Sequence, residues 1–476
     1  MDTRKVDVAI IGAGTAGLNA RREVEKQGGR PLMIEGGAYG TTCARVGCMP
    51  SKLLIAAAEA AHVITGAAQF GLPATARIDG AAVMARVQRE RDRFVGFVVA
   101  GTEAIPPDQR LLGRARFTGP TTLEVDDHTR VEARAVVVAT GSAPFLPPPF
   151  DTVAEHVLTS DTVFELPDLP ESLAVIGTGV IALELGQAMQ RLGVRVAFFS
   201  PFDAVGPLTD PEVAQVARRD LAAELDLRLG TAMLAATPAA SGLTLRWREA
   251  DGTERDEIFT HVLVAAGRRP NIAGLGLEAT GLTLDQAGLP VIDPQTAQCG
   301  DGPIFFAGDV AGHIPLLHEA SDEGRIAGAN AVAWPEVQRA TRRVPLAIAF
   351  TDPQMAMIGL HYDQLPAGAH AIGQVSFENQ GRARVMGRNQ GLLRVYANAR
   401  DCTLLGAEMF GPAAEHMAHL LAWSVQQRMT VPQALSMPFY HPVLEEGLRT
   451  ALRDLAAKLR VLGQCRPEDM GDAPGS

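Results

Sequence analysis

One strand–glycine–helix unit occurs twice in this sequence, its first glycines at positions 12 and 177, and few folds accommodate that. In the first copy, residues 6–11 (VDVAII) form an apolar, β-branched run that ends in Gly12-Ala-Gly14-Thr-Ala-Gly17. Leu18 to Gln27 then reads as a helix stopped by Gly28 and Gly29, and Pro31 to Ile34 as a second strand ending at Glu35. The first glycine permits a tight turn, the second lets a pyrophosphate approach the backbone, and the third lets helix and strand pack closely. Phosphates would sit at the helix N-terminus, where free N–H groups and the dipole favour anions. Glu35 is placed to accept hydrogen bonds from a ribose. Glycines alone are a weak signal; strand, glycines, helix, strand and acid together are a strong one.

The second copy runs from LAVI (173–176) into Gly177-Thr-Gly179-Val-Ile-Ala182, then a helix to about Leu192 and a strand from Val194 to Phe199. Glu35 stands 23 residues after Gly12; the residue 23 after Gly177 is Ser200. The second unit therefore has the same build without the acid. Each unit is followed by a similar strand and turn, VVVATGSAP at 136–144 and VLVAAGRRP at 262–270. The duplication predicts two dinucleotides on one chain. Such a protein is most simply a flavoprotein that exchanges hydride with a nicotinamide.

Composition narrows the class. A chain of 476 residues suggests roughly three domains, and a net charge of −11 argues against a nucleic-acid binder, which needs a basic face. No run of apolar residues reaches the ~18 that span a bilayer, and the N-terminus shows no charged, apolar and small-residue signal pattern. The expectation is a cytoplasmic enzyme without a membrane partner. Five cysteines in a chain this long do not make a disulfide scaffold. Cys299, Cys402 and Cys465 have no partner in sequence and read as ordinary thiols; Pro147–Pro149 and Pro167–Pro170 read as a domain crossing, and the tail after Gly463 as poorly ordered.

Cys43 and Cys48 are the exception, in Gly40-Thr41-Thr42-Cys43-Ala-Arg45-Val-Gly47-Cys48-Met-Pro50-Ser51-Lys52. On a regular helix, residues five apart have Cα atoms roughly 8–9 Å apart, beyond the ~4.4–6.8 Å a disulfide accepts. A bond between them requires irregular backbone at a helix entrance, which Gly47 and Pro50 would allow. A helix start also favours thiolate. Two separate buried thiols remain the plain alternative; a zinc site lacks a second ligand pair nearby.

With these residues in view, the chain resembles the class I pyridine nucleotide-disulfide oxidoreductases, most closely their dihydrolipoyl dehydrogenase branch. That family's redox motif GGTCxNxGCxPSK is matched by GTTCARVGCMPSK, and its second flavin motif by Ile304-Phe-Phe-Ala-Gly308-Asp309. Its nicotinamide motif is matched by Gly177–Gly186, with Ala182 in place of a glycine and Glu184 retained; GRRPN (267–271) and Leu317-His318-Glu319-Ala320 also fit. The resemblance implies an α/β fold of two Rossmann-like domains, for FAD (1–150) and for NAD or NADP (151–270), with a central domain (271–343) and a C-terminal α+β dimerisation domain (344–476). It also implies cofactor contacts at Gly12, Gly14, Gly17, Glu35, Thr42, Lys52, Ala115, Thr140, Gly141, Gly267, Asp309 and Leu317. For the nicotinamide, the contacts implied are Gly177, Gly179, Ala182, Glu184 and Ser200.

In the cycle this resemblance implies, Cys43 exchanges with a substrate dithiol, and Cys48 lies against the flavin. Lys52 sits near the flavin, paired with Glu184. His441 and Glu446, in the segment HPVLEE (family pattern HPTxxE), act as base and orienter. Because that segment lies about 390 residues after Cys48, the family builds each site from both subunits, and a homodimer is implied. The partner expected is a lipoyl-carrying protein or a small disulfide. Departures bear on specificity: with Ser200 in the acid's place and no arginine after it, NAD is favoured over NADP, and Arg195 precedes it on the strand. Arg45 stands where the family has asparagine, as a cation that lowers a thiolate pKa or meets an acidic substrate, or as a surface ion pair. A related disulfide or mercuric reductase (FTDPQ, 350–354) is the neighbouring reading; a binding subunit of a lipoyl assembly is the reading from another class.

Overall fold

The computed structural model describes residues 2–461. Its first sheet begins with β1 (Asp2–Ile11), α1 (Thr15–Lys26) and β2 (Pro31–Glu35). The helix starts three residues earlier than its first long apolar side chain suggests, because Gly14 already serves as its N-cap. Two helices interrupt the path, α2 (Thr42–Arg45) and α3 (Cys48–Gly66), followed by the long α4 (Gly80–Glu103). The chain returns through β3 (Arg110–Leu112), β4 (Ala115–Phe117), β5 (Thr122–Val125) and β6 (Thr129–Val138), in the order β3-β2-β1-β6-β5-β4. β1 to β3 and β6 run parallel, and β4 and β5 antiparallel. Where the parallel strands are buried on both faces, at Val8–Ile11, Pro31–Ile34 and Ala135–Val138, they read as continuous apolar runs, the pattern such sheets require.

After β7 (Ser142–Pro144) comes a second, smaller parallel sheet: β8 (Ser172–Ile176), α5 (Val180–Arg191), β9 (Arg195–Ser200), α6 (Pro211–Ala222) and β10 (Asp226–Leu229). An antiparallel meander follows, β11 (Ala232–Ala239), β12 (Gly242–Arg248) and β13 (Glu254–Phe259), before β14 (His261–Val264) rejoins the second sheet in the order β10-β9-β8-β14. β15 (Arg268–Pro270) pairs antiparallel with β7, so the two turns read as similar in sequence meet in space. β16 (Ile304–Phe306) then adds to β6 in the first sheet, and α7 (Leu317–Ala333) covers that sheet beside α1.

A five-stranded antiparallel sheet makes up the last part: β17 (Leu346–Ala349), β18 (Gln354–Gly359), β19 (His370–Ser376), β20 (Leu392–Asn398) and β21 (Leu404–Gly411), with the short α8 (Gly381–Val385) between β19 and β20. α9 (Ala414–Gln426) packs on β18 and β21, α10 (Val431–Leu435) follows, and α11 (Glu446–Val461) packs on β19 and β20.

α1 and α7 cross so closely that only glycine fits between them. A Cβ at Gly324 would lie 2.3 Å from the Ala16 carbonyl oxygen, and one at Gly328 2.5 Å from that of Ala20. We expect Gly324→Ala to cost about 1–3 kcal/mol through overpacking, read as a lower melting temperature and a reduced flavin content.

Three expectations change here. Cys402, read as an ordinary thiol, is disulfide-bonded; Cys465 and the tail after Gly463 lie outside the described residues. The stretch Thr42–Phe70 is long and apolar enough, by length and composition, to cross a membrane, where the sequence reading found no such run. Helices α2 and α3 make up most of it, with the cysteine pair and Lys52 near its start and α4 and α5 packed against it. The second-unit strand begins at Arg195 and ends at Ser200, one residue later than expected at each end.

Candidate active site

The cysteine pair sits on a broken helix. Thr41 caps α2 through a hydrogen bond from the Ala44 N–H (3.3 Å), α2 ends at Arg45, and Gly47 (φ −120°, ψ −115°) breaks the path before α3 begins at Cys48. This is the irregular entrance that a Cys43–Cys48 contact needs. Both thiols are free here, the reduced form of such a pair. They hydrogen-bond to each other, and the two titrations split. Cys43 is held well above the ordinary thiol range, first by donating to Cys48 and then by burial. Cys48 is drawn down to about 7, first by accepting that bond, with the Lys52 charge helping against burial. Its place as the first residue of α3 adds the favourable end of the helix dipole.

The sign is plain: lowering the pKa enlarges the thiolate population at neutral pH. At a pKa of about 7, roughly half of Cys48 is thiolate at pH 7, against about one in a hundred for a thiol at 9.0. Alkylation of the reduced holoprotein by iodoacetamide should therefore rise around pH 7. A midpoint near 9 would contradict the assignment.

Lys52 lies one helical turn beyond Cys48. Its Nζ donates to Glu184 Oε2 at 2.6 Å, joining the first nucleotide unit to α5 of the second, and it lies 4.4 Å from the centre of the Phe350 ring. Glu184 is buried, and its other oxygen accepts the Phe350 N–H at 2.8 Å. Phe350 was not singled out in the sequence as a site residue, although it opens the segment FTDPQ that was noticed there.

The glycine turns fit nucleotides. Gly12 has φ +111°, and a Cβ there would strike the Ala139 carbonyl oxygen at 2.3 Å; Gly17 would strike that of Gly12 at 1.9 Å. At Gly14 a Cβ would meet nothing, and α1 begins with no side-chain cap, so no side chain takes its first N–H groups. That is the cradle a pyrophosphate requires. Glu35 accepts from the Ala13 N–H (2.7 Å) and the Gly37 N–H (2.8 Å), which fixes its carboxylate beside the turn. Ala115 is buried in β4, and Gly113 just before it donates to the Glu35 carbonyl. Thr42 is the first residue of α2, and Leu317 the first of α7.

Asp309 accepts from Ser142 Oγ at 2.8 Å, and Arg268 Nε donates to the same hydroxyl at 2.8 Å. The Gly308 N–H is held by buried Glu323 at 2.8 Å, and Arg342 pairs with both Glu319 and Glu323. Thr140 donates to the Asn271 carbonyl, Gly141 takes φ +69°, and Gly267 φ +109°. Ser142, Arg268 and Arg342 were not expected to act here, although Ser142 and Arg268 lay inside the quoted segments VVVATGSAP and GRRPN.

The second turn repeats the first. Gly177 (φ +116°) faces the Ala265 carbonyl oxygen at 2.6 Å, Gly179 opens onto free space, and α5 has no side-chain cap. Ala182 is fully buried. Ser200 is also buried, and its Oγ accepts the Phe202 N–H at 3.1 Å. Arg195 turns away to Glu257 on β13.

His441 stands apart from the cysteines. Its Nδ1 lies 3.1 Å from both oxygens of Glu446, and its side chain is 81% exposed. The Val443 N–H also donates to Glu446, at 3.3 Å, and the carboxyl is held below its usual range, chiefly by His441. Among the described residues, His441 has no other polar partner. One chain therefore carries an oriented histidine on an exposed loop and a thiol pair elsewhere.

Comparisons with known proteins give the family and the fold. The family described as pyridine nucleotide-disulphide oxidoreductase matches residues 6–324, and its dimerisation domain matches 344–452. Dihydrolipoyl dehydrogenase 3 of Pseudomonas aeruginosa is 32% identical over 468 residues, covering 94% of this chain and 97% of the relative. Dihydrolipoyl dehydrogenase of Thermus scotoductus is 32% identical over 457 residues, with the same coverage. The solved structure of LpdA from Mycobacterium tuberculosis superposes with a TM-score of 0.80 at 25% identity, over 94% of this chain and 99% of that one.

Proposed function

This chain belongs to the pyridine nucleotide-disulphide oxidoreductases, and from that premise we propose that it oxidises a lipoyl-type dithiol with NAD⁺, as a homodimer. The observation that carries the reading is geometric: Cys43 and Cys48 stand on either side of the broken helix, with the Lys52–Glu184 pair one turn beyond Cys48. It gives the two sulfurs different tasks. In the oxidised protein, a substrate thiolate attacks Cys43 Sγ, and the Cys43–Cys48 bond breaks. Cys48 leaves as a thiolate stabilised by Lys52 and the helix start. The second substrate sulfur then attacks the mixed disulfide, and Cys43 departs as a thiol. The substrate has lost two electrons and become a disulfide, and the cysteine pair has gained them.

Both substrate thiols must lose their protons first. His441 of one subunit serves the cysteines of the other, with Glu446 fixing Nδ1 as the protonated nitrogen and stabilising the imidazolium. The Gly12–Gly17 turn, Glu35 and Asp309 would hold FAD, which when bound would supply the two-electron connection between the pair and the nicotinamide. The Gly177–Gly179 turn holds that nicotinamide. Lys52 provides positive charge where the reduced pair and cofactor accumulate negative charge.

The test is steady-state oxidation of dihydrolipoamide with NAD⁺ and NADP⁺ in parallel. Turnover preferring NAD⁺ is expected, because Ser200 brings no cation for a 2′-phosphate and Arg195 is committed to Glu257. Turnover that prefers NADP⁺ overturns the nucleotide assignment. Absence of dithiol oxidation overturns the function.

A further inference from the structure

Two buried carboxylates and one arginine converge behind the turn that carries Asp309. α7 bears Glu319 and Glu323 four residues apart, and so on one face; both are buried. Glu323 Oε2 accepts the Gly308 N–H at 2.8 Å, in the turn between β16 and α7. Gly308 takes φ +80°, and a Cβ there would lie 3.0 Å from that of Ala16, in the first turn of α1. The turn is thus fixed from two sides, by contact with α1 and by the Glu323 carboxylate.

A buried carboxylate is costly unless its charge is met, and Arg342 meets both. One terminal nitrogen of its guanidinium donates to Glu319 and, at 3.1 Å, to Glu323; the other donates to the Pro294 carbonyl at 3.2 Å. Among the described residues, no other arginine or lysine lies within 4.0 Å of either carboxylate. His313 Nδ1 stands 3.9 Å from Glu323 and His318 Nε2 3.8 Å from Glu319, too far for hydrogen bonds. The nearby Arg325 and Arg343 are taken by Asp322, at 3.2 and 3.3 Å. Arg342 itself lies outside regular structure, two residues before the segment that matches the dimerisation domain.

We infer that Arg342 is a positioning residue for the flavin: through Glu323 it fixes the Gly308 N–H, and with it the place of Asp309 beside Ser142. Glu319 anchors the arginine, and Pro294 ties its other arm to the preceding segment. Arg342 acts on FAD only through this turn. The inference rests on the proposed FAD site and adds to it a residue that holds the site's backbone.

The test follows FAD leaving the purified, full-length holoprotein, measured as free flavin passing a size filter over time, with no substrate present. Arg342→Gln should release FAD about ten- to a hundredfold faster than wild type, the scale of hydrogen bonds to charged groups. Arg342→Lys, which keeps the charge and gives up the planar fork, should fall between the two. Glu323→Ala should also speed release, and adding Arg342→Gln to it should speed it no further, because the arginine works through that carboxylate. Arg343→Gln is the control: its exposed pair with Asp322 should leave release within about twofold of wild type. Should Arg342→Gln not fold, Arg342→Lys, alone and with Glu323→Ala, decides in the same way. Release at the wild-type rate from the Arg342 variants overturns the inference. So does an additive effect with Glu323→Ala, which marks general loosening; both results leave the FAD reading standing. A wild-type protein that neither carries nor takes up FAD overturns that parent reading.

Discussion

Replacing Cys48 with serine is expected to leave a folded, flavin-loaded protein whose dithiol oxidation falls by roughly 10⁴–10⁶-fold, the scale of losing an essential nucleophile. The exchange needs a sulfur that both bonds to Cys43 and leaves as an anion. Cys48, drawn down to about 7 by Cys43 and Lys52, does so at neutral pH. A serine hydroxyl neither forms the bond nor carries the charge. Cys48 is the exposed first residue of a helix, with no share in a buried core, so the substitution should spare stability. Reduction of artificial acceptors by NADH does not require the pair and should persist. Stopped-flow mixing with dihydrolipoamide measures the first quantity, and a dye-reduction assay the second. Dithiol turnover within tenfold of wild type would remove the pair from the electron path.

The second large effect concerns the exposed loop. His441→Gln should lower kcat with dithiols by about 10²–10⁴-fold, the usual contribution of a positioned base, with the pH profile losing its histidine limb. Glu446→Gln should act in the same direction with a smaller loss, because the imidazole stays in place and loses its charged partner. Since His441 is far from polar partners other than Glu446 in its own chain, the decisive form of this experiment mixes subunits. Coexpressed Cys48→Ser and His441→Gln chains form hybrid dimers in which one site has both an intact pair and an intact histidine. Random pairing then restores about a quarter of wild-type activity. Inactive hybrids would place the histidine and the cysteines of a working site in one subunit.

The parts of this fold that are local in sequence were legible there. Each nucleotide turn is made by glycines within six residues of one another, and the strand–helix–strand periods around them are short-range. The broken helix between Cys43 and Cys48 was foreseeable for the same reason, from Gly47 and Pro50. The residues that hold these parts in place were much harder to read. Asp309 is steadied by Ser142 and Arg268, whose positions differ by 126 in sequence. Glu184 is steadied by Phe350, 166 residues away.

A buried polar network between α6 and the last sheet left no sequence signal. Asp210, fully buried, accepts from Arg394 (2.7 Å) and Tyr396 (2.8 Å), and Glu408 receives the Thr209 and Asp210 N–H groups. No period or spacing pairs groups nearly 200 residues apart; only the packed sheets bring them together. Cys402 makes the same point, since a single cysteine among distant ones carries no mark of its bond.

The central claim is that electrons enter through the cysteine pair, and anaerobic titration of the flavin-loaded protein with dihydrolipoamide tests it most directly. The account predicts that the first equivalent produces long-wavelength absorbance from the Cys48 thiolate against oxidised flavin, before the flavin bleaches, and that NAD⁺ discharges it. Direct bleaching without that absorbance, or no response to the dithiol, would contradict the account.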